Sequence, residues 1–385
     1  MNNFEFQNPT KIIFGKGEIA KIAHEIPSDK NVLIIYGGGS IKKNGVYDQI
    51  MAALKEHHVA EFSGIEPNPN DTTCFKAVRQ IHDQDIDFLL AIGGGSVIDA
   101  TKFIAAAAAA GDADPRSLLG TIEVASRALP FGVVLTLPAT GSEMNPAAII
   151  TNTSTHEKTV FKSQHVFPQF SVLDPTVTFT LPPRQVANGV VDAFTHVMEQ
   201  YLTYSVNHKL QERFAESILL TLVEEGPKTL ANPTGYDARA NMMWCCTMAL
   251  NGLIRYGVPN DWATHMIGHT LTALHGLDHA QTLAIILPTI MEYKRDKKRD
   301  RILQYAERIW NITEGSQEER IDAAISKTRE FFESLGVKTH LRDYDINEDD
   351  IPKLIGQLRD QNLTALGEHK DITLEDSQAI LEESL

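Results

Sequence analysis

Short apolar runs rich in β-branched residues recur through the first half of the chain, and several stop at glycine. Val32-Leu33-Ile34-Ile35-Tyr36 runs into Gly37-Gly38-Gly39-Ser40, and Phe88-Leu89-Leu90-Ala91-Ile92 runs into Gly93-Gly94-Gly95-Ser96. Phe131-Gly132-Val133-Val134-Leu135-Thr136 runs into a turn containing Pro138 and Gly141. Runs this short and this uniformly apolar fit strands buried on both faces. Between them, helical periodicity predicts helices over about 42–57, 71–84 and 97–110. Strands alternating with helices imply a mostly parallel sheet with both faces covered. After Pro182-Pro183 the strand pattern stops. Long stretches of 3.6-residue periodicity follow, broken at Asn232-Pro233, Gly257-Val258-Pro259 and Gly315-Ser316. The fold expected is an α/β N-terminal domain over 1–180, with a mostly parallel sheet, and an all-α C-terminal domain over 181–385. The alanine run 105–110 reads as a tightly packed helix end. Phe4 to Phe14 reads as edge strands able to pair across a two-fold axis.

Composition narrows the function classes. The chain has 385 residues, is 43% hydrophobic and carries a net charge of −15. Phosphate-backbone binding needs clustered Lys and Arg, so the acidic balance argues against a nucleic-acid partner. No window approaches the ~18 uninterrupted apolar residues of a membrane-spanning helix. The start, Met1-Asn2-Asn3-Phe4-Glu5-Phe6, lacks a basic region followed by an apolar one, so a cytoplasmic protein is expected. Cys74, Cys245 and Cys246 are too few for a disulfide framework and read as reduced thiols.

Two kinds of chemistry stand out. Gly93-Gly94-Gly95-Ser96 lies between a buried strand and a helix start. Backbone N–H groups there, with the helix dipole, favour a phosphate or pyrophosphate, and glycine permits close approach and positive φ. Asp99, one turn in, is placed to brace the loop or reach a sugar hydroxyl. Gly37 to Ser40 repeats the arrangement after another strand. Thr136, Thr140 and Ser142 supply three hydroxyls after a third, suited to phosphate, ribose or carboxamide. This is not the G-x-G-x-x-G fingerprint, and a tight turn without a ligand is the plain alternative for any one of these loops. The second kind is metal-binding. Asp192 and His196 are spaced i, i+4 on a helix that follows Pro182-Pro183, and His265 and His269 share that spacing. His265, His269, His275 and His279, four of 14 histidines, fall within 15 residues. One carboxylate with several imidazoles suits Zn²⁺ or Fe²⁺ and not Ca²⁺ or Mg²⁺.

Two long spaced patterns then carry a resemblance. One runs through Leu173-Asp174, Pro182, Ala187, Gly189, Asp192-Ala193-Phe194 and Glu199. The other runs through Trp262, His265, Gly268-His269, Leu271-Thr272-Ala273 and His279-Ala280. Over nearly its whole length the chain resembles the iron-containing, group III alcohol dehydrogenases, whose fold is shared with dehydroquinate synthase and glycerol dehydrogenase. Glu66-Pro67-Asn68-Pro69, Leu137 to Glu143 and Asp278-His279-Ala280 look like the butanol-dehydrogenase-like branch, in particular the broad-range NADPH-dependent aldehyde reductases of enteric bacteria. The resemblance implies a dehydroquinate synthase-like fold, a homodimer, and metal ligands at Asp192, His196, His265 and His279. It places His269 beside the metal without ligating it, and gives His275 no role. It implies cofactor contacts at Gly93 to Ser96, Asn68, Thr136, Thr140, Ser142 and Lys158. Many relatives have Pro-His-Gly where this chain has Asp278-His279-Ala280, which keeps the ligand and changes its neighbours.

The implied reaction is hydride transfer from NADPH to a small or medium-chain aldehyde, giving a primary alcohol, with one divalent ion, Zn²⁺ or Fe²⁺. The ion polarises the carbonyl oxygen and the nicotinamide supplies the hydride. His269, a bound water or a ribose hydroxyl are the candidates for delivering the proton. NADP(H) is expected over NAD(H). NAD-preferring relatives tend to place an Asp just after the strand equivalent to Val32–Tyr36, whereas here Gly37-Gly38-Gly39-Ser40 makes room for a 2′-phosphate, with Lys42 and Lys43 close in sequence. Dehydroquinate-synthase-like or glycerol-phosphate-dehydrogenase-like activity needs more cations than Lys158 and Lys162. A non-catalytic metal- or NADP-binding sensor would bind without turnover.

Overall fold

The computed structural model describes residues 1–111, 114–155 and 157–385. The uniformly apolar runs form strands because each has a core on both sides. β1 (Lys11–Phe14) is followed by α1 (Ile22–Glu25), β2 (Asn31–Tyr36), α2 (Val46–Ala53), β3 (His58–Phe62), α3 (Asp71–Asp83), β4 (Phe88–Gly94), α4 (Gly95–Ala109) and β5 (Phe131–Leu137). The antiparallel pair β6 (Ala147–Asn152) and β7 (Glu157–Lys162) comes next, then β8 (Phe170–Leu173). Alternate residues of a strand face opposite ways. Leu33 and Ile35 of β2 pack in one core with Cys74, Ile98 and Phe103, while Val32 and Ile34 pack in another with Ile22, Ile50 and Leu54. Ala105 to Ala108 are all buried, in keeping with close helix packing.

The main sheet has the order β1-β8-β5-β4-β2-β3, with every neighbouring pair parallel. From β2 the chain crosses to β3 on one side and then to β4 on the other. Strand order therefore reverses at β2 and β4, the kind of place where open α/β sheets bind ligands outside the carboxyl ends. The expectation of edge strands over Phe4 to Phe14 is met only by β1, which pairs parallel to β8; residues 1–10 form no strand. No hairpin was expected over 147–162, where β6 and β7 lie.

After Leu181 the chain is helical: α5 (Pro183–Tyr201), α6 (Lys209–Ala231), α7 (Tyr236–Ala249), α8 (Ala263–His275), α9 (His279–Tyr293), α10 (Arg299–Trp310), α11 (Gln317–Ser334), α12 (Ile351–Asp360) and α13 (Leu374–Glu383). Pro183 occupies the first turn of α5, where its missing N–H costs nothing. Reciprocal caps start α9 (Asp278 with Gln281) and α11 (Ser316 with Glu319). Ile267, Leu271, Ile286, Leu354 and Leu381 belong to the helical core. The chain divides into two compact units, one of residues 7–181 and 233–247, the other of 1–6, 182–232 and 248–385. No helix among the described residues is long and apolar enough to cross a membrane. Cys74, Cys245 and Cys246 are buried thiols.

Candidate nucleotide loops and metal centre

The sheet unit gathers the three hydroxyl- and glycine-rich loops side by side. Tyr36 pairs with Ile92, so Gly37–Ser40 and Gly93–Ser96 leave neighbouring strands, and β5 delivers Thr136 to Ser142 next to β4. A Cβ on Gly95 would lie 2.6 Å from Thr140, and one on Gly93 would lie 2.6 Å from Val97. Positive φ was one expected reason for glycine at 93–95, but none of the three adopts it. The need there is room. Gly39 does require a left-handed conformation, at φ 86°. A side chain at Gly38 would meet nothing within 4 Å, and Gly38 and Ser40 are exposed.

Asp99 accepts from the Ser142 hydroxyl (2.6 Å) and the Ile149 N–H (2.8 Å), and so braces the third loop. Sequence reading missed Lys102. It is fully buried and donates to Ser142 Oγ, Asn145 Oδ1 and the Ala147 carbonyl at 2.7–3.0 Å. The signal available was a second ionisable residue, i+3 from Asp99, in an otherwise apolar helix. Asn68 holds φ 57°, and Thr151, which pairs with Lys158 across the hairpin, donates its N–H to the Pro69 carbonyl (2.8 Å). Burial pulls the Lys158 ammonium down to about 8. Lys42 turns elsewhere. Its ammonium meets Glu61 at 2.9 Å and lies over the Tyr47 ring at 4.6 Å. Burial works against the Glu61 carboxylate, yet hydrogen bonds from Tyr47, Lys42 and Tyr36 outweigh it and hold its pKa to about 2. Lys43 is exposed.

In the helical unit, Asp192 and His196 of α5, His265 of α8 and His279 of α9 each offer a ligand atom, all within 4.8 Å of one another. The His196 and His265 rings stack at 4.9 Å, and the His265 and His279 centroids are 5.1 Å apart. Asp192, His196 and His265 are buried, while the His279 side chain is 29% exposed. Asp192 Oδ1 is buried without a hydrogen bond, 3.5 Å from His196 Nε2 and 3.7 Å from His279 Nε2. A buried carboxylate oxygen facing imidazoles and lacking a donor fits a cation. Burial raises the Asp192 pKa and lowers that of His196 to about 4, which keeps the imidazole neutral and able to ligate. The His269 centroid lies 5.3 Å from His279, and His269 is outside the four-residue group, as is His275.

Gly268 sets the spacing of α8 and α9, since a Cβ there would sit 2.7 Å from Thr282 Oγ1. Asn188 of α5 donates to Asp278, the residue before His279, at 2.8 Å. Two further features escaped the sequence reading. Trp262 holds φ 65° at the start of α8 and packs edge-on to His265 at 5.3 Å. Glu199 Oε2 lies 2.5 Å from His265 Nδ1. The available signal for Glu199 was its place on the helix: 192, 196 and 199 are i, i+4 and i+7, one face of α5.

Comparison with known proteins follows the same lines. Residues 9–175 match the family described as iron-containing alcohol dehydrogenase, and residues 186–385 match the C-terminal part of that family. The chain is similar to the NADPH-dependent aldehyde reductase YqhD of Escherichia coli, at 60% identity over 99% of both chains. It is also similar to a probable NADH-dependent butanol dehydrogenase of Bacillus subtilis, at 43% identity over the whole of both. Among solved structures, that of E. coli YqhD superposes with a TM-score of 0.97 at 59% identity, covering 100% of this chain and 99% of the other. Butanol dehydrogenase A of Thermotoga maritima superposes at 0.93 with 37% identity, over 100% of this chain and 99% of the other.

Proposed function

The chain belongs to the iron-containing alcohol dehydrogenase family, and from that premise we propose a metal-dependent reductase that uses NADPH to convert small or medium-chain aldehydes to primary alcohols. The observation that carries the reading is the buried group of Asp192, His196, His265 and His279, whose ligand atoms lie within 4.8 Å of one another. A divalent cation there, Zn²⁺ or Fe²⁺, supplies Lewis-acid polarisation of the carbonyl oxygen, and the nicotinamide supplies the hydride.

The chain's own residues do the rest. Asp192, His196, His265 and His279 hold the ion, and three neutral imidazoles with one carboxylate leave it a net charge near +1. Gly95 and Ser96, at the start of α4, offer N–H groups to the pyrophosphate, and Gly93 and Gly94, at the end of β4, allow it to approach closely. Gly37, Gly38, Gly39 and Ser40 receive the 2′-phosphate. Asn68, Thr136, Thr140 and Lys158 touch the cofactor, and Asp99 and Ser142 hold the loop that carries Thr140. The proton for the product oxygen comes from His269, a bound water or a ribose hydroxyl. Dinucleotide binding thus falls to residues 1–180 and metal binding to 181–385. A cytoplasmic homodimer completes the reading. Lys162 lies 3.6 Å from the Glu123 carboxylate, which partly offsets its charge, and the readings that need a polyanionic substrate have only it and Lys158 to draw on.

The test is oxidation of NADPH by butanal, followed by the nicotinamide absorbance, with NADH and with metal-stripped protein alongside. Turnover should require metal. Reduction should also be more efficient than butanol oxidation near neutral pH, because oxidation releases a proton. Binding of NADPH and metal without turnover would favour a sensor instead.

A further inference from the structure

We infer that Glu199 is a positioning residue for the metal centre, fixing the tautomer of His265 through one carboxylate oxygen and the start of that ligand's helix through the other. The inference rests on the metal reading above and goes beyond its four ligands.

The geometry is specific. Glu199 lies on α5, one turn after the ligand His196, and is 3% exposed. Its Oε2 lies 2.5 Å from His265 Nδ1, and its Oε1 accepts the Thr264 N–H at 2.7 Å. Thr264 is in the first turn of α8, where backbone N–H groups lack intrahelical partners. One carboxylate therefore ties α5 to the start of α8 and to the first imidazole that α8 carries. With Nδ1 turned to Glu199, Nε2 is the nitrogen left for the ion. An imidazole can give Nε2 to a metal only with its proton on Nδ1, and a carboxylate is an acceptor suited to hold that proton.

The surroundings keep Glu199 in this role. The Asp261 N–H donates to the Glu199 carbonyl (2.9 Å), and Asp261 Oδ1 accepts the Ala263 N–H (2.9 Å). Those bonds brace the peptide on either side of Trp262, whose left-handed backbone a bulky residue seldom adopts. Lys298 gives its ammonium to the Leu202 carbonyl, Asp261 Oδ2 and Glu368 at 2.6–2.9 Å. The lysine thus bridges Asp261 and Glu368, and the Glu199 carboxylate is left to His265 and Thr264.

Glu199→Gln separates the two tasks. The amide oxygen can still accept from Thr264, but the amide NH₂ then faces Nδ1. The imidazole must accept there, which moves its proton to Nε2, the nitrogen the metal needs. The experiment is Co²⁺ titration of the metal-stripped full-length protein, read by the d–d absorption bands, in wild type, Glu199→Gln, His265→Ala and the double variant. Glu199→Gln should weaken Co²⁺ binding about 10- to 100-fold and shift the bands. In the His265→Ala background the same change should cost almost nothing, because the residue it acts through is gone. Wild-type affinity and bands in Glu199→Gln, or an equal loss in both backgrounds, overturns the inference. A wild type that takes up no Co²⁺ overturns the metal reading instead. Should Glu199→Gln fail to fold, ¹⁵N NMR of the zinc-loaded wild type settles the matter: a downfield proton on His265 Nδ1 supports the assignment, and an Nδ1 without a proton sinks it.

Discussion

At single residues, space and charge can be told apart. Gly95 is glycine for space, since a Cβ would collide with Thr140 at 2.6 Å. Gly38 is different. It has open room and is followed by the one glycine of the turn with positive φ. Gly38→Asp therefore adds a carboxylate without a clash and tests charge alone. Wild type should favour NADPH over NADH by at least ~10-fold in kcat/KM with one aldehyde, about 1.4 kcal/mol. The substitution should erase or reverse that preference, because its carboxylate repels a 2′-phosphate and can accept from ribose hydroxyls. A variant that keeps the NADPH preference would show that Gly37 to Ser40 do not read the 2′-phosphate. The lysines behind this turn are not equivalent. Lys42 is held by Glu61 at 2.9 Å, so of the two only Lys43 would add positive charge for a 2′-phosphate bound at this turn. Sequence proximity alone treats the two as alike.

At the scale of elements, the metal group depends on how closely α8 and α9 approach. Thr282 Oγ1 donates to the His279 carbonyl at 2.7 Å and faces Gly268. Gly268→Ala drives a methyl into that hydroxyl and displaces the first turn of α9, which begins at His279. Overpacking of this kind costs ~1–3 kcal/mol, and part of it should appear as weaker metal binding. Calorimetric titration with Zn²⁺ should give a raised Kd for Gly268→Ala. Adding Thr282→Ala, which removes the hydroxyl, should recover much of the loss. Unchanged Zn²⁺ affinity in the single variant would mean that the spacing of α8 and α9 does not govern the site.

For the molecule as a whole, an ion that binds only the folded chain stabilises it, by about 4 kcal/mol when free metal is 1,000 times Kd. Chelation should therefore abolish aldehyde reduction and lower Tm by several degrees. In His265→Ala, metal binding should weaken, so metal content and activity should fall together and the chelator should shift Tm less. Scanning calorimetry with and without chelator reads this directly. A His265→Ala protein that retains one ion per chain would remove His265 from the ligand set.

Local pattern was enough for much of this protein. Period and punctuation placed β2, β4 and β5 and the helical character of the chain after Pro182, though not each of its helices, because a strand buried on both faces and a helical stretch each write their signature within a few residues. Helical spacing put Asp192 with His196, and the two family patterns joined these to His265 and His279. The rest depends on partners distant in sequence. That Gly37–Ser40 lies beside Gly93–Ser96 follows from the order β4-β2-β3, in which β2 pairs on both sides. That residues 233–247 group with the sheet unit, after 182–232 have left it, is likewise a matter of packing. Lys102 reads in the sequence as an ordinary charge on a helix, and Glu199 as one member of a family pattern with no role attached. Only tertiary structure buries them and supplies Ser142 and Asn145 for one, His265 and Thr264 for the other. A buried charge is tolerated only where its hydrogen bonds are met, and those partners come from other elements of the fold.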